Sequence, residues 1–204
     1  EVRYIDQGAF KNSTITSITL PKFVQSINDS AFYACRNLTS VTMKNGSTGI
    51  RNIYEFAFYK CDKMTNCSLT FDDIAGGFIF KKAFRYCEAL TSINLNNVVF
   101  LGEGVFSNCT NLVRVTNLTH GNITTLPKML FYNCSSLKYI DIPGNVRSIG
   151  DYAFENCRSL KEVDLDTCTA DINATMFKTC DSLETFYVSY KNKRYGGGYG
   201  LIDK

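Results

Sequence analysis

The feature that most constrains this chain is a string that returns eight times. Read as Ala-Phe-x-x-Cys-x-x-Leu-x-x-Val-x-Met, it runs through Ala31, Phe32, Cys35, Leu38, Val41 and Met43. It recurs at Ala57, Phe58, Cys61, Met64, Cys67, Leu69, and at Ala83, Phe84, Cys87, Leu90, Ile93, Leu95. Later copies hold Leu130, Phe131, Cys134, Leu137, Ile140, Ile142, then Ala153, Phe154, Cys157, Leu160, Val163, Leu165, then Met176, Phe177, Cys180, Leu183, Phe186, Val188. A weaker copy has Val105, Phe106, Cys109, Leu112 and Val115. The first, with Ala9, Phe10, Ile15, Ile18 and Leu20, lacks the cysteine and is one residue short. The phenylalanines at 10, 32, 58, 84, 106, 131, 154 and 177 are spaced by 22 to 26 residues. A fixed period of this length is the mark of a stacked repeat array, because no single unit can bury its own apolar face.

Each column has a structural meaning. Leu-x-x-Val-x-Met reads as a short strand whose last apolar residues alternate inward. One such strand per repeat builds a parallel sheet. A second apolar position, Ile27, Ile53, Ile79, Leu101, Leu126, Ile149 and Ile172, turns the chain inward again. Asp29, Asp151 and Asn173 then precede the Phe segment, where a short helix or turn would use a cap. The expected fold is an α/β repeat solenoid: a right-handed array of about eight 22–26-residue repeats, with a parallel concave sheet on one side and short helices or turns on the other. Residues 1–190 read as one such domain. Residues 191–204, with Gly196, Gly197 and Gly198, read as a tail or cap, to which Phe186, Tyr187, Val188, Tyr190 and Tyr195 could contribute an end closure. Because Glu1 falls inside a repeat, the chain reads as a mature or trimmed fragment.

The period lies within the range of leucine-rich repeats. The segment IPGNVRSIGDYAFENCRSLKEVDL (residues 142–165) resembles the BspA-like, or Treponema pallidum type, leucine-rich repeat, and the likeness spans residues 1 to about 190. It departs from that pattern in longer repeats around residues 44–52 and 70–78, and in keeping the proline after the strand only at Pro21 and Pro143. The resemblance implies a surface protein that adheres to host matrix or to other cells. For some protist members it implies regulation of partner proteins inside the cell.

Seven of the nine cysteines fill one column: Cys35, Cys61, Cys87, Cys109, Cys134, Cys157 and Cys180. They read as small buried hydrophobes, all pointing the same way and so poorly placed to bridge. Cys67 takes a core strand position, while Cys168 lies outside the columns and reads as the best candidate for an exposed thiol. With His120 the sole histidine, in a loop, the four convergent ligands of a zinc site are not in evidence. No metal or other cofactor is expected.

A net charge of +3 predicts no strong attraction to nucleic acid or to an anionic membrane. No apolar run is long enough to span a bilayer. Nucleophile elbows, phosphate loops and paired histidines are missing, so a non-catalytic module is expected. Two basic clusters, Lys81, Lys82, Arg85 and Lys191, Lys193, Arg194, read as solvated surface that does not alternate with exposed aromatics as a nucleic-acid groove would. Asn-x-Ser/Thr sequons start at Asn12, Asn28, Asn37, Asn45, Asn66, Asn108, Asn117, Asn122, Asn133 and Asn173, which fits a secreted eukaryotic chain.

Strand alternation predicts the outward side chains. The first five strands offer Ser17 and Thr19; Ser40, Thr42 and Lys44; Asn66, Ser68 and Thr70; Ser92, Asn94 and Asn96; Arg114 and Thr116. The later ones offer Tyr139 and Asp141; Glu162, Asp164 and Asp166; Thr185 and Tyr187. The concave face therefore divides into a neutral hydroxyl and amide half and an acidic half with two tyrosines. Tyr139, Asp141, Glu162, Asp164, Asp166 and Tyr187 form the candidate ligand site. A basic partner or a cation would suit it, anchored by the aromatic residues common at hot spots. The expected function is an extracellular or cell-surface adhesin or recognition module for protein or glycan ligands. An intracellular scaffold gripping one partner, or end-to-end assembly of solenoids, is the alternative.

Overall fold

The computed structural model describes residues 1–118, 122–165 and 168–188. The chain winds through eight coils, each centred on one phenylalanine of the repeat. The predicted strands form a front sheet: β2 (Ser17–Leu20), β4 (Ser40–Met43), β6 (Asn66–Ser68), β8 (Ser92–Asn94), β10 (Arg114–Thr116), β12 (Tyr139–Asp141), β14 (Glu162–Leu165) and β15 (Thr185–Val188). All pairings are parallel, in the runs β2-β4-β6, β8-β10 and β12-β14-β15.

The second apolar column does more than turn the chain inward. It builds a parallel back sheet from β1 (Tyr4–Ile5), β3 (Ser26–Ile27), β5 (Asn52–Ile53), β7 (Gly77–Ile79), β9 (Val98–Leu101), β11 (Thr125–Leu126) and β13 (Ser148–Ile149). These pair as β1-β3-β5-β7-β9 and β11-β13. Both sheets and the Phe edge enclose one core, in which Phe32, Phe58, Phe84, Phe106, Phe131 and Phe154 are fully buried.

The expectation of an α/β array with short helices requires correction. No α-helix occurs among the described residues, and each Ala-Phe-x-x-Cys segment is a chain of turns. The reason lies in where the amides go. In the second coil Ala31, Tyr33 and Cys35 donate to carbonyls three residues back, in the same coil. The alternate amides of Ser30, Phe32 and Ala34 instead donate to Glu55, Ala57 and Tyr59 of the next coil, at 2.9, 2.7 and 2.7 Å. A helix needs every amide for itself; here every second one is exported. The export requires positive φ two residues before and two after the phenylalanine, at Ser30 and Ala34, Phe56 and Lys60, Lys82 and Tyr86, Met129 and Asn133, Tyr152 and Asn156. Asparagine tolerates that region and bulky residues do not, so the inter-coil bonds must hold Phe56 and Met129, whose amides donate to Lys81 and Asp151, in place.

The cap reading is likewise amended. Asn173 does cap its own turn, its Oδ1 accepting from the Thr175 amide at 2.9 Å. Asp29 and Asp151 reach forward, Asp29 accepting from the Glu55 amide at 3.0 Å and Asp151 from the Thr175 hydroxyl at 3.1 Å.

The phenylalanines form a ladder. From Phe10 to Phe177 successive ring centroids lie 5.0, 5.0, 5.1, 5.6, 5.5, 5.6 and 5.1 Å apart, all stacked. The cysteine column runs beside it and is more than apolar filling. Each thiol donates to the carbonyl of the phenylalanine one coil earlier, from Cys35 to Phe10 at 2.8 Å through Cys134 to Phe106 at 3.1 Å to Cys180 to Phe154 at 3.2 Å. Ser13 holds this column in the first coil, and its hydroxyl accepts from the Ile15 amide.

Cys168 is not an exposed thiol. It is buried, with Sγ 3.5 Å from the Val146 carbonyl, beside a third core column of Val24, Ile50, Val98, Ile123 and Val146 at the corner between the sheets. All nine cysteines are buried. Burial pushes their thiols up, to about 12 at Cys67, Cys109 and Cys180.

One junction differs from the others. Between the fifth coil (β9, Phe106, β10) and the sixth (β11, Phe131, β12) neither sheet is continuous. In the back sheet, the amides of Asn28, Tyr54, Phe80, Gly102 and Gly150 donate to the carbonyls of Ile5, Ile27, Ile53, Ile79 and Leu126, at 2.8–2.9 Å. At the equivalent place in the sixth coil stands Pro127, which has no amide to give to Leu101. A proline in this column parts the sheet.

Candidate binding face

The predicted outward side chains lie on the front sheet, in the expected columns. Ser17, Ser40 and Asn66 are in register, as are Thr19, Thr42 and Ser68. This end is a neutral ladder, with the Thr19 and Thr42 hydroxyls 3.1 Å apart. Its hydroxyl pairs support strand pairing and leave no charge for a partner to read.

The acidic half is a physically separate sheet, β12-β14-β15. Tyr139 lies opposite Glu162 and then Thr185; Asp141 lies opposite Asp164 and then Tyr187. Tyr139 is 44% exposed. Like charges directly opposite in neighbouring strands repel. Partial burial, and then the Asp164 carboxylate, hold the Asp141 carboxyl above the usual carboxylate range. The strands thus bring Tyr139, Asp141, Glu162 and Asp164 onto one surface, with Tyr187 continuing the Asp141 column by backbone register. Asp166 lies outside the described residues, as do His120, Tyr190, Tyr195, Lys191, Lys193, Arg194 and the glycine run. Among the described residues no three Cys, His, Asp or Glu side chains converge as metal ligands would. What the Asp141–Asp164 pair offers is therefore negative potential.

A profile for the BspA type leucine-rich repeat region matches with 6 copies, over residues 3–116 and 77–197. The chain belongs to the BspA-type leucine-rich repeat family. Among solved structures, a leucine-rich repeat protein of T. pallidum is 26% identical, with a TM-score of 0.65 over 78% of this chain and 72% of that one. A leucine-rich repeat protein of Bacteroides ovatus shares the fold at 19% identity and a TM-score of 0.64, over 93% of this chain and 60% of that one. No curated protein matches the chain. Leucine-rich repeat arrays are in general binding and recognition modules that present an extended surface and carry no catalytic machinery.

Within this BspA-type array two surface groups escaped the sequence reading. On the Phe edge, Lys82 and Arg85 are not merely solvated. Lys82 Nζ lies 5.9 Å from the Phe56 ring centre, Arg85 5.0 Å from that of Tyr86, and Lys60 5.7 Å from both Tyr59 and Tyr86. Cations and rings therefore do alternate, along the chain at Tyr59–Lys60 and Arg85–Tyr86 and across coils at Lys60–Tyr86 and Phe56–Lys82. Aligning the positions one and two after each phenylalanine would have revealed it. On the back sheet Tyr54, Phe78, Phe80 and Phe100 pack ring against ring, with Tyr54–Phe80 at 5.0 Å and Phe80–Phe100 at 5.6 Å. Only a back strand with an outward position, which was not foreseen, would have pointed to them.

Proposed function

We propose that the chain is a cell-surface recognition module whose acidic front surface binds a basic segment of a protein ligand. Tyr139, Asp141, Glu162 and Asp164 carry that role, and Asp166 and Tyr187 extend it. The observation behind the reading is the placing of Asp141 directly opposite Asp164, with the Asp141 carboxyl pushed up by partial burial and then by the Asp164 carboxylate. A sheet with no partner to meet gains nothing from such a pair, whereas a cationic ligand converts the repulsion into attraction. The surface setting is supported by the ten sequons, nine of whose asparagines lie outside the strands. A glycan ligand on the same face is the other form of this reading.

The test is binding of the purified chain to a panel of matrix proteins and glycans, beside a variant with Asp141, Glu162 and Asp164 changed to Ser. Loss of binding in the variant, with unchanged thermal unfolding, supports the site. Equal binding by both moves the ligand to another surface. No binding by either sinks the adhesive role for this chain.

A further inference from the structure

The parted junction between the fifth and sixth coils opens a cleft on the back of the molecule. It has a volume of about 330 Å³ and is walled by Val99, Phe100 and Leu101 on one side and by Thr124, Thr125 and Pro127 on the other, with Glu103 at its rim. Among the described residues no backbone hydrogen bond joins 98–102 to 122–127. The Leu101 carbonyl, whose counterparts in five other back strands each receive an amide from the following coil, faces Pro127 without one. A carbonyl left in this way seeks a donor from elsewhere.

The cleft is built and not merely loose. Phe100 is 42% exposed but fixed by its contacts with Phe78 at 6.2 Å and Phe80 at 5.6 Å. The far wall is held by the Arg147 amide, which donates to the Thr124 carbonyl at 2.9 Å, and by the Ser148 hydroxyl on Thr125 Oγ1 at 3.1 Å. Its polar side chains can all accept a hydrogen bond. Leu101 supplies a carbonyl, Glu103 a carboxylate, and Thr124 and Thr125 hydroxyls that can accept; no lysine or arginine lines it. Glu103 Oε2 does hold Lys81 Nζ at 3.3 Å, an exposed pair that a competing cation can displace at small cost.

Apolar walls, an open ring and a carboxylate whose cation is the exposed, displaceable Lys81 suit a donor group on an apolar stem. We propose that this cleft receives a lysine or arginine side chain of a partner protein, its methylenes between Phe100 and Pro127 and its charged end on Glu103 and the Leu101 carbonyl. The volume is at the lower end of small-molecule pockets, sized for one side chain, and the open mouth leaves room for a backbone outside. The site is on the opposite sheet from Asp141 and Asp164, so it stands or fails independently of the acidic front surface.

Amide shifts of the isotope-labelled chain would be followed on adding a capped Gly-Lys-Gly peptide, n-butylammonium or n-butanol. The peptide is expected to shift Phe100, Leu101 and Thr125, and to bind more tightly than n-butylammonium. Glu103→Gln should weaken it roughly three- to fivefold, the scale of one exposed ion pair. Pro127→Ala, which restores an amide opposite Leu101, should abolish the shifts while thermal unfolding stays that of the parent. Equal shifts with n-butanol would overturn the cationic reading. Binding of n-butylammonium as tight as that of the peptide would make a free amine the occupant. Peptide binding unchanged in Pro127→Ala, or no shift at these three amides, would remove the cleft as a site.

Discussion

The fourth and fifth coils are joined by both sheets and the Phe edge; the fifth and sixth keep the Phe edge and the Ser136–Thr110 and Lys138–Val113 backbone bonds but lose both sheet pairings. At the first junction β7 pairs with β9, β8 with β10, and Phe84 stacks on Phe106 at 5.6 Å. At the second both sheets are interrupted, yet Phe106 stacks on Phe131 at 5.5 Å. The Phe106 and Asn108 amides still donate to Leu130 and Tyr132, at 3.0 and 2.7 Å. Coil spacing is thus indifferent to whether the strands pair. The Phe–Cys edge sets it, and the sheets follow where sequence permits.

That comparison can be broken most forcefully at the ladder. Phe131→Ala and Phe58→Ala each remove a fully buried ring and should cost about 3–5 kcal/mol. Only Phe131→Ala should also split urea unfolding into two transitions, because no sheet pairing backs up the Phe edge at its junction. A single transition of the same size in both variants would mean that coupling runs elsewhere. Cys134→Ala and Cys109→Ala come next, each losing a thiol–carbonyl bond and some packing, about 1–2 kcal/mol. The Cys134 variant should lose more, and denaturant midpoints would reveal a reversed order.

Smaller effects sharpen the contrast. In Pro127→Ala a new amide bond of about 1 kcal/mol is offset by about 0.4–1 kcal/mol from the freer unfolded chain. Stability should barely move, while hydrogen exchange slows at the junction; unchanged exchange would show that Pro127 is not what parts the sheet. Asp141→Asn is the mildest. The raised Asp141 carboxyl means that the folded chain binds this proton more tightly than the unfolded chain. That contribution is complete below the unfolded carboxylate value and is lost as pH rises through the folded one. The variant should therefore gain a few tenths of a kcal/mol at neutral pH, given the exposure, and lose the gain on acidification. A pH-independent difference in melting temperature would exclude the repulsion.

The sequence disclosed what the repeats share. The Phe, Cys and Leu columns, the front strands and their outward side chains were legible because eight copies vote on each position. The back sheet was not, since strands as short as Ser26–Ile27 and Ser148–Ile149 contain no alternation to read. Turns replaced the expected helices because exported amides are a property of two coils together, visible in neither alone. Cys168 misled for a related reason: its corner column, Val24 to Val146, has no fixed neighbours in the motif. Of the candidate site, the columns were legible and the separate sheet that carries them was not, because it depends on the break between β10 and β12.

The exported amides and the thiols run in opposite senses: each turn hands its amides to the coil ahead and its thiol to the coil behind. Along the Phe edge a coil therefore has a front and a back that are complementary to each other, whatever its number. Copying one whole repeat in place would create no surface that the array does not already know how to cover, and deleting one would bring together two that already fit.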